Sequence, residues 1–103
     1  QLKDIQPLSY NDRVSYYYLR IQVKDIPGVL AKITSSLNEE GISIETILQI
    51  PVDSKQSLKS EVPIIITTHQ TTYNLLTKAL NKIEKFDFVV SKIAVINIDK
   101  TIS

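Results

Sequence analysis

Apolar and polar residues alternate along the chain between Tyr17 and Val23, where the odd positions are apolar. Leu19 beside Arg20 illustrates the pattern. A period of two predicts a β-strand with one buried face. Pro27 fixes its own φ and pushes Ile26 towards an extended conformation, so the strand is predicted to end there.

Apolar residues at spacings of three and four predict two helices. The first is predicted to start at Val29 and to end before Gly41, which suits the left-handed C′ position. Thr71 or Thr72 can cap the second helix through a side-chain oxygen. The apolar stripes are Val29, Leu30, Ile33 and Leu37 in the first helix, and Leu76, Ala79, Leu80 and Ile83 in the second.

Three further strands are predicted. The second strand follows Gly41 at once, and its pattern places Ile47 and Gln49 on the face opposite Ile44. The third covers Val62–Thr68, and its run of three isoleucines is typical of a central strand. The two remaining predicted segments are a polar loop over Pro51–Ser60 and a fourth strand over Phe88–Ile98.

The order strand-helix-strand-strand-helix-strand predicts an α+β fold of the ferredoxin-like type. Right-handed crossovers then put both helices on one face of a four-stranded antiparallel sheet. The open face is predicted to carry Tyr16, Tyr18, Ile47 and Gln49. Because such a surface is poorly suited to water, Tyr16, Tyr18 and Ile47 are predicted to lie at an interface, most simply with a second copy.

Composition excludes several classes of function. The chain has 103 residues, enough for one domain, and a net charge of +1, which favours neither nucleic acid nor an anionic membrane as partner. It has no Cys and one His, which argues against thiolate or conventional zinc sites. No apolar run has the length of a membrane span and no signal peptide is visible, so a cytoplasmic location is expected.

The start of the chain suggests an excised piece of a longer protein. It begins with Gln1 and contains no Met. Residues 1–14 have weak periodicity and are predicted to be a linker from an upstream region, followed by one domain over residues 15–103.

The segment Asp25–Gly28, between the first strand and the first helix, is the strongest candidate for a binding site. The N–H groups of Gly28, Val29 and Leu30 have no helical partners, so they can hold a small anion such as a carboxylate. The carboxylate of Asp25 suits an ammonium group. On spacing alone, however, a tight turn in which Asp25 caps the helix is favoured, because such turns are common and a Pro-Gly pair is a weak motif.

Other candidate chemistry is weaker. The Tyr16-Tyr17-Tyr18 cluster beside Arg20 could stack nucleic-acid bases, but the simpler prediction is that Tyr17 enters the core. His69 could be a general base, but no nucleophile or carboxylate is related to it in sequence, so a structural role is favoured. We therefore predict neither a catalytic residue nor a metal ligand in this chain.

Several segments together resemble a known family. Asp25–Ile33, which reads DIPGVLAKI, and Glu40–Glu45, which reads EGISIE, resemble the ACT domain family of small-molecule-binding regulatory modules. The resemblance is closer to the C-terminal ACT domain of homoserine dehydrogenases. Tyr16–Val23 resembles its YYLRL-V segment, Ile42–Gln49 its ISIESV-Q strand, and Val62–His69 its VPIVILTH strand.

The resemblance implies a function for the longer protein and for this piece. Homoserine dehydrogenase interconverts aspartate 4-semialdehyde and homoserine with NAD(P), in a catalytic region that would lie upstream. With two glycines, the chain itself cannot form a Gly-rich dinucleotide loop. The ACT domain is expected to be dimeric and to bind L-threonine for feedback inhibition. By resemblance, the effector-binding residues are Asp25, Ile26, Pro27, Gly28, Val29, Leu30, Ile44 and Gln49.

Two alternatives to an effector-binding domain remain open. The first is a dimerisation module of the same enzyme that binds no ligand. The second is an RNA-binding domain of the same fold, which the near-neutral charge disfavours.

Overall fold

The computed structural model describes residues 13–50 and 61–98 of the chain. Most of the predicted linker and the whole predicted loop at 51–60 lie outside these residues, while Val14 already belongs to the first strand. In chain order the described elements are β1 (Val14–Lys24), α1 (Val29–Glu39), β2 (Ile44–Gln49), β3 (Glu61–Thr68), β4 (Thr71–Thr72), α2 (Tyr73–Glu84) and β5 (Ala94–Ile98).

The strands form one antiparallel sheet in which β1 is central. β3 pairs with one edge of β1 and β5 with the other, and β2 pairs with the outer edge of β3. The short strand β4 pairs with the start of β1, where Val14 lies opposite Thr72. The ferredoxin-like α+β prediction is confirmed, with β4 as a fifth strand. Two residues are too few to show a periodicity, so the sequence pattern gave no sign of β4.

The core lies between the helices and one face of the sheet. Tyr17, Leu19, Ile21 and Val23 are each at most 1% exposed, which confirms the predicted alternation in β1. They pack with the buried residues of both helices in a single cluster. The stripe predicted for α2 is confirmed, because Leu76, Ala79, Leu80 and Ile83 are all buried.

Helix α1 departs from its predicted stripe at one position. Leu30 is 37% exposed, whereas Val29, Ile33 and Leu37 are buried as predicted. Ser36 is buried as well, and its hydroxyl donates to the backbone carbonyl of Lys32 at 2.9 Å, which satisfies the polar group.

Both predicted helix signals are confirmed. Gly41 has φ +76° and its N–H donates to the carbonyl of Asn38 at 2.9 Å, as expected for a left-handed C′ residue. Thr72 is the N-cap of α2, where its hydroxyl oxygen accepts from the N–H of Leu75 at 3.2 Å.

Strand β2 contains an irregularity that the periodicity did not predict. Ile44 lies opposite Thr68, but Thr46, two residues further on, lies opposite the adjacent Thr67. Glu45 is therefore an extra residue in β2, as in a β-bulge. The side chains that follow it point to the face opposite the one that strict alternation from Ile44 would give them.

The predicted faces of β2 were therefore wrong for the residues after Glu45. Ile47 lies opposite Ile66, and Gln49 lies opposite Ile64. Since cross-strand partners share a face and these isoleucines are buried beneath the helices, Ile47 and Gln49 also lie on the helix-facing side. The open face instead receives Leu48, which is 58% exposed.

The predicted fourth strand, Phe88–Ile98, was too long. Val89 forms an isolated bridge with Val23, and regular pairing resumes where Ala94 lies opposite Arg20. Val89 and Ala94 are five positions apart in the chain, whereas their partners in β1, Val23 and Arg20, are three positions apart. The two extra residues break the strand, and β5 begins only at Ala94.

Candidate functional site

The segment Asp25–Gly28 turns the chain from β1 into α1. The N–H of Ile26 donates to the carbonyl of Lys24 at 3.0 Å, and the first helical bond runs from Lys32 to Gly28 at 3.1 Å. Gly28 is the N-cap of α1, with φ +85°, a conformation that L-residues with a side chain rarely adopt. We call Asp25–Gly28 the hinge segment.

Among residues 13–50 and 61–98, no side chain caps helix α1. The alternative in which Asp25 caps the helix is therefore wrong. The N–H groups of Val29, Leu30 and Ala31 precede the first helical hydrogen bond, so they have no helical acceptor. They give this end of the helix a partial positive charge, which favours an anion.

A cavity of about 130 Å³ lies against the hinge segment. Its apolar part comes from neighbouring strands, since Val23 of β1 lies directly opposite Val62 of β3. Two polar residues, Asp25 and Gln49, also line it. The lining residues are Val23, Lys24, Asp25, Ile26, Gly28, Val29, Leu30, Gln49, Val62 and Ile64. We call this cavity the hinge pocket.

The hinge pocket brings together six of the eight predicted effector-binding residues. Pro27 belongs to the hinge segment but does not line the cavity. Ile44, at the other end of β2, lines a separate cavity of about 490 Å³ with Asn38 and Ser43. The six residues that do line the hinge pocket are Asp25, Ile26, Gly28, Val29, Leu30 and Gln49.

Sequence reasoning missed the apolar wall of the pocket. Val23, Val62 and Ile64 were predicted only as strand residues. Their alternation in two strands was the available signal, but it assigned them to the core and gave no pairing register. The register places Val62 opposite Val23 and thereby brings this part of β3 to the hinge segment.

The open face of the sheet carries the predicted interface tyrosines. Tyr16 lies opposite Ile98 and Tyr18 opposite Ile96, which is 55% exposed. Tyr17 is 1% exposed and belongs to the core, as predicted. Ile47, the third predicted interface residue, is 39% exposed but lies on the helix-facing side of β2.

A group of charged side chains joins the two helices away from the hinge pocket. The ammonium of Lys82 lies 3.0 Å from Glu39 and 2.7 Å from Glu40. The hydrogen bond from Lys82 lowers the pKa of Glu40, and the hydrogen bonds with Glu40 and Glu39 raise the pKa of Lys82. These ion pairs link the end of α1 to α2.

His69, the residue considered as a general base, lies at the surface. The side chain of His69 is exposed, and its backbone N–H donates to the carbonyl of Ser43 at 2.9 Å. Within 13–50 and 61–98, no three His, Cys, Asp or Glu side chains cluster so as to hold a metal. In the same ranges neither helix has the length and apolar character needed to cross a membrane.

Comparisons with known proteins identify relatives of the chain. Residues 17–85 match the ACT domain. A homoserine dehydrogenase of Pseudomonas aeruginosa is 37% identical over 86 residues, covering 84% of this chain and 19% of that protein. A homoserine dehydrogenase of Neisseria gonorrhoeae is 34% identical over 99 residues, covering 96% of this chain and 21% of that protein.

A solved structure agrees with these sequence relatives. The crystal structure of a homoserine dehydrogenase from Thiobacillus denitrificans superposes with a TM-score of 0.76 at 35% identity. The superposition covers 89% of this chain and 19% of that one. The chain thus spans about a fifth of the length of the relatives it matches.

Proposed function

The chain belongs to the ACT domain family, and we propose that it is the regulatory domain of a homoserine dehydrogenase that binds L-threonine in the hinge pocket. The observation that carries the proposal is the cavity itself. It joins the uncapped start of α1, one carboxylate, one amide and an apolar wall within about 130 Å³. That volume suits a small amino acid better than a nucleotide.

In this proposal each group of L-threonine would have a suitable partner in the pocket. Its carboxylate would accept hydrogen bonds from the first N–H groups of α1, where the helix dipole also favours negative charge. Its ammonium would lie against the carboxylate of Asp25, in a charge-assisted hydrogen bond. Its methyl group would contact Val23 and Val62, and its hydroxyl would bond to the amide of Gln49.

The proposed regulation follows from differential affinity. A bound amino acid would favour one of two arrangements of paired domains, and it can shift their equilibrium only by the ratio of its two affinities. The dehydrogenase activity, its substrates and NAD(P) belong to the part of the relatives outside the matched fifth. With two glycines, this chain has no Gly-rich loop for a dinucleotide.

Pairing with a second copy is part of the same proposal. Three exposed apolar residues share the open face of the sheet, because Val14, Leu48 and Ile96 all lie on the side away from the helices. Together with Tyr16 and Tyr18 they form an apolar surface of the kind that protein interfaces cover. This surface also supports the second candidate function, a dimerisation module that binds no ligand.

Calorimetry separates the two candidate functions. We expect L-threonine to release or absorb heat on binding and L-isoleucine, whose side chain is larger and has no hydroxyl, to bind more weakly. Asp25→Asn should weaken L-threonine binding at least tenfold, since it removes the charge that faces the ammonium. Asp87→Asn, which removes an exposed carboxylate elsewhere, is the matched control. A dimer in sedimentation with no heat from any amino acid would favour the dimerisation module.

A further inference from the structure

A further cavity lies between the two helices. It has a volume of about 460 Å³ and shares no lining residue with the hinge pocket. Its position on the helical layer separates it from the open face of the sheet as well. The lining residues are Ala31, Lys32, Ser35, Ser36, Glu39, Lys82, Lys85 and Phe86. We call this cavity the helix groove.

The helix groove carries positive charge that is only partly neutralised. Its lining has three lysines and one glutamate. Lys82 is engaged by Glu39 and Glu40. Lys32 and Lys85 form no ion pair within the described ranges 13–50 and 61–98. Two ammonium groups are therefore available to carboxylates from outside these ranges.

An aromatic side chain lies beside these charges. Phe86 is half-buried, and the ammonium of Lys32 lies 5.8 Å from its ring centroid. A groove with a half-buried ring and ammonium groups suits a segment that presents an apolar side chain next to acidic ones.

Phe86, on the wall of the groove, is connected to the hinge segment. Phe86 stacks on Phe88 with ring centroids 4.9 Å apart. The carbonyl of Phe88 accepts from the N–H of Lys24 at 2.8 Å, and Lys24 is the last residue of β1 before the hinge segment. One hydrogen bond and one ring contact therefore form a contiguous path between the hinge segment and the groove.

We propose that the helix groove binds an acidic segment that carries an apolar anchor residue, and that this segment belongs to the dehydrogenase part of the same polypeptide. Binding of an amino acid in the hinge pocket would then alter this contact. This inference rests on the proposed function. The occupant follows from the charge of the groove and from the roughly four fifths of each relative that lie outside the matched region. A contact held by charge is also expected to weaken as salt is raised.

Charge reversal in the full-length polypeptide tests the coupling. Lys32→Glu and Lys85→Glu should each raise the L-threonine concentration for half-inhibition at least tenfold. Binding of L-threonine to the same variants, measured by calorimetry, should change less than threefold. Lys92→Glu reverses an exposed charge outside the groove and should leave both quantities unchanged. Unaltered inhibition in the groove variants, or an equal loss of binding, would overturn the proposal.

Cross-linking in the full-length polypeptide tests the contact independently of L-threonine. A water-soluble carbodiimide joins lysine ammonium groups to neighbouring carboxylates without a spacer. We expect Lys32 or Lys85 to be linked to an Asp or Glu of the dehydrogenase part. Links only within this domain, links to a second copy of it, or no links would overturn the docking proposal. A polypeptide that gives the expected link but binds no amino acid would contradict the proposed function alone.

Discussion

Gln49 of β2 lies directly opposite Ile64 of β3, on the helix-facing side of the sheet, and both residues line the hinge pocket. An amide therefore lies beside a buried apolar side chain at the place where an effector would be held. This relationship depends on the extra residue Glu45. Without it, the alternation that puts Ile44 over the core would direct Gln49 to the open face.

The position of Gln49 predicts its role in selectivity. Gln49→Leu should weaken L-threonine binding by about 0.5–1.5 kcal/mol, since one hydrogen bond is lost. The variant should also lose its preference over L-valine, which has a methyl group in place of the hydroxyl. Leu48→Gln, on the opposite face, should change neither affinity. Calorimetry with both amino acids measures the effect, and an unchanged threonine-to-valine ratio in Gln49→Leu would contradict the assignment.

The two glycines form a matched pair for testing the hinge segment. Both have positive φ, +85° at Gly28 and +76° at Gly41, and a Cβ at either would meet no atom within 4 Å. Gly28→Ala and Gly41→Ala should each lower the free energy of unfolding by about 1–2 kcal/mol, because the strain lies in the backbone. Only Gly28→Ala should also weaken L-threonine binding. If the two variants bind L-threonine equally well, the hinge segment is not part of the binding site.

A buried hydroxyl stabilises the start of β1. Thr68 is fully buried, and its Oγ1 accepts from the backbone N–H of Tyr17 at 3.1 Å. Thr68→Val keeps the shape of the side chain but removes this buried hydrogen bond, so we expect the free energy of unfolding, measured in urea, to fall by about 1–3 kcal/mol. Thr67→Val is the control, since its hydroxyl bonds to Thr46 at an exposed position where water can substitute. A smaller loss of unfolding free energy in Thr68→Val than in Thr67→Val would contradict this prediction.

The ion pairs between the helices predict a pH dependence with a definite sign. The pKa of Glu40 is lowered from its ordinary value of 4.5, so its carboxylate stabilises the fold above that pH, and this stability is lost as the pH falls through the folded-state pKa. The pKa of Lys82 is raised above 10.5, so its contribution is present below that pH and lost as the pH rises through the folded-state pKa.

Urea midpoints across this pH range measure the contribution of the pair. Glu40→Gln should flatten the decline in stability below about pH 4.5. The difference in stability between this variant and the unsubstituted protein should shrink at high salt, because the ion pair is accessible to solvent. Glu84→Gln, which removes an exposed carboxylate that forms no ion pair within 13–50 and 61–98, should keep the acid-side decline. A decline as steep in Glu40→Gln as in the unsubstituted protein would contradict the assignment.

Local pattern was enough to predict most of the fold and one side of the site. The alternation in β1, the stripe in α2, the cap at Thr72 and the left-handed Gly41 are confirmed because each depends on neighbours in sequence. The hinge segment was predicted in the same way, from a proline and a glycine between a strand and a helix. The ACT resemblance is confirmed by the family match over residues 17–85.

The tertiary structure decided what depends on pairing between distant segments. The bulge at Glu45 and the break before β5 lie where one segment has more residues than the strand it pairs with, one extra residue in β2 and two before β5. Local periodicity cannot show where that happens. The same pairing brings Val62 and Ile64 to the hinge segment and turns Gln49 towards it. The sequence by itself determined that a hinge with free N–H groups exists, and only the sheet register decided which side chains enclose it.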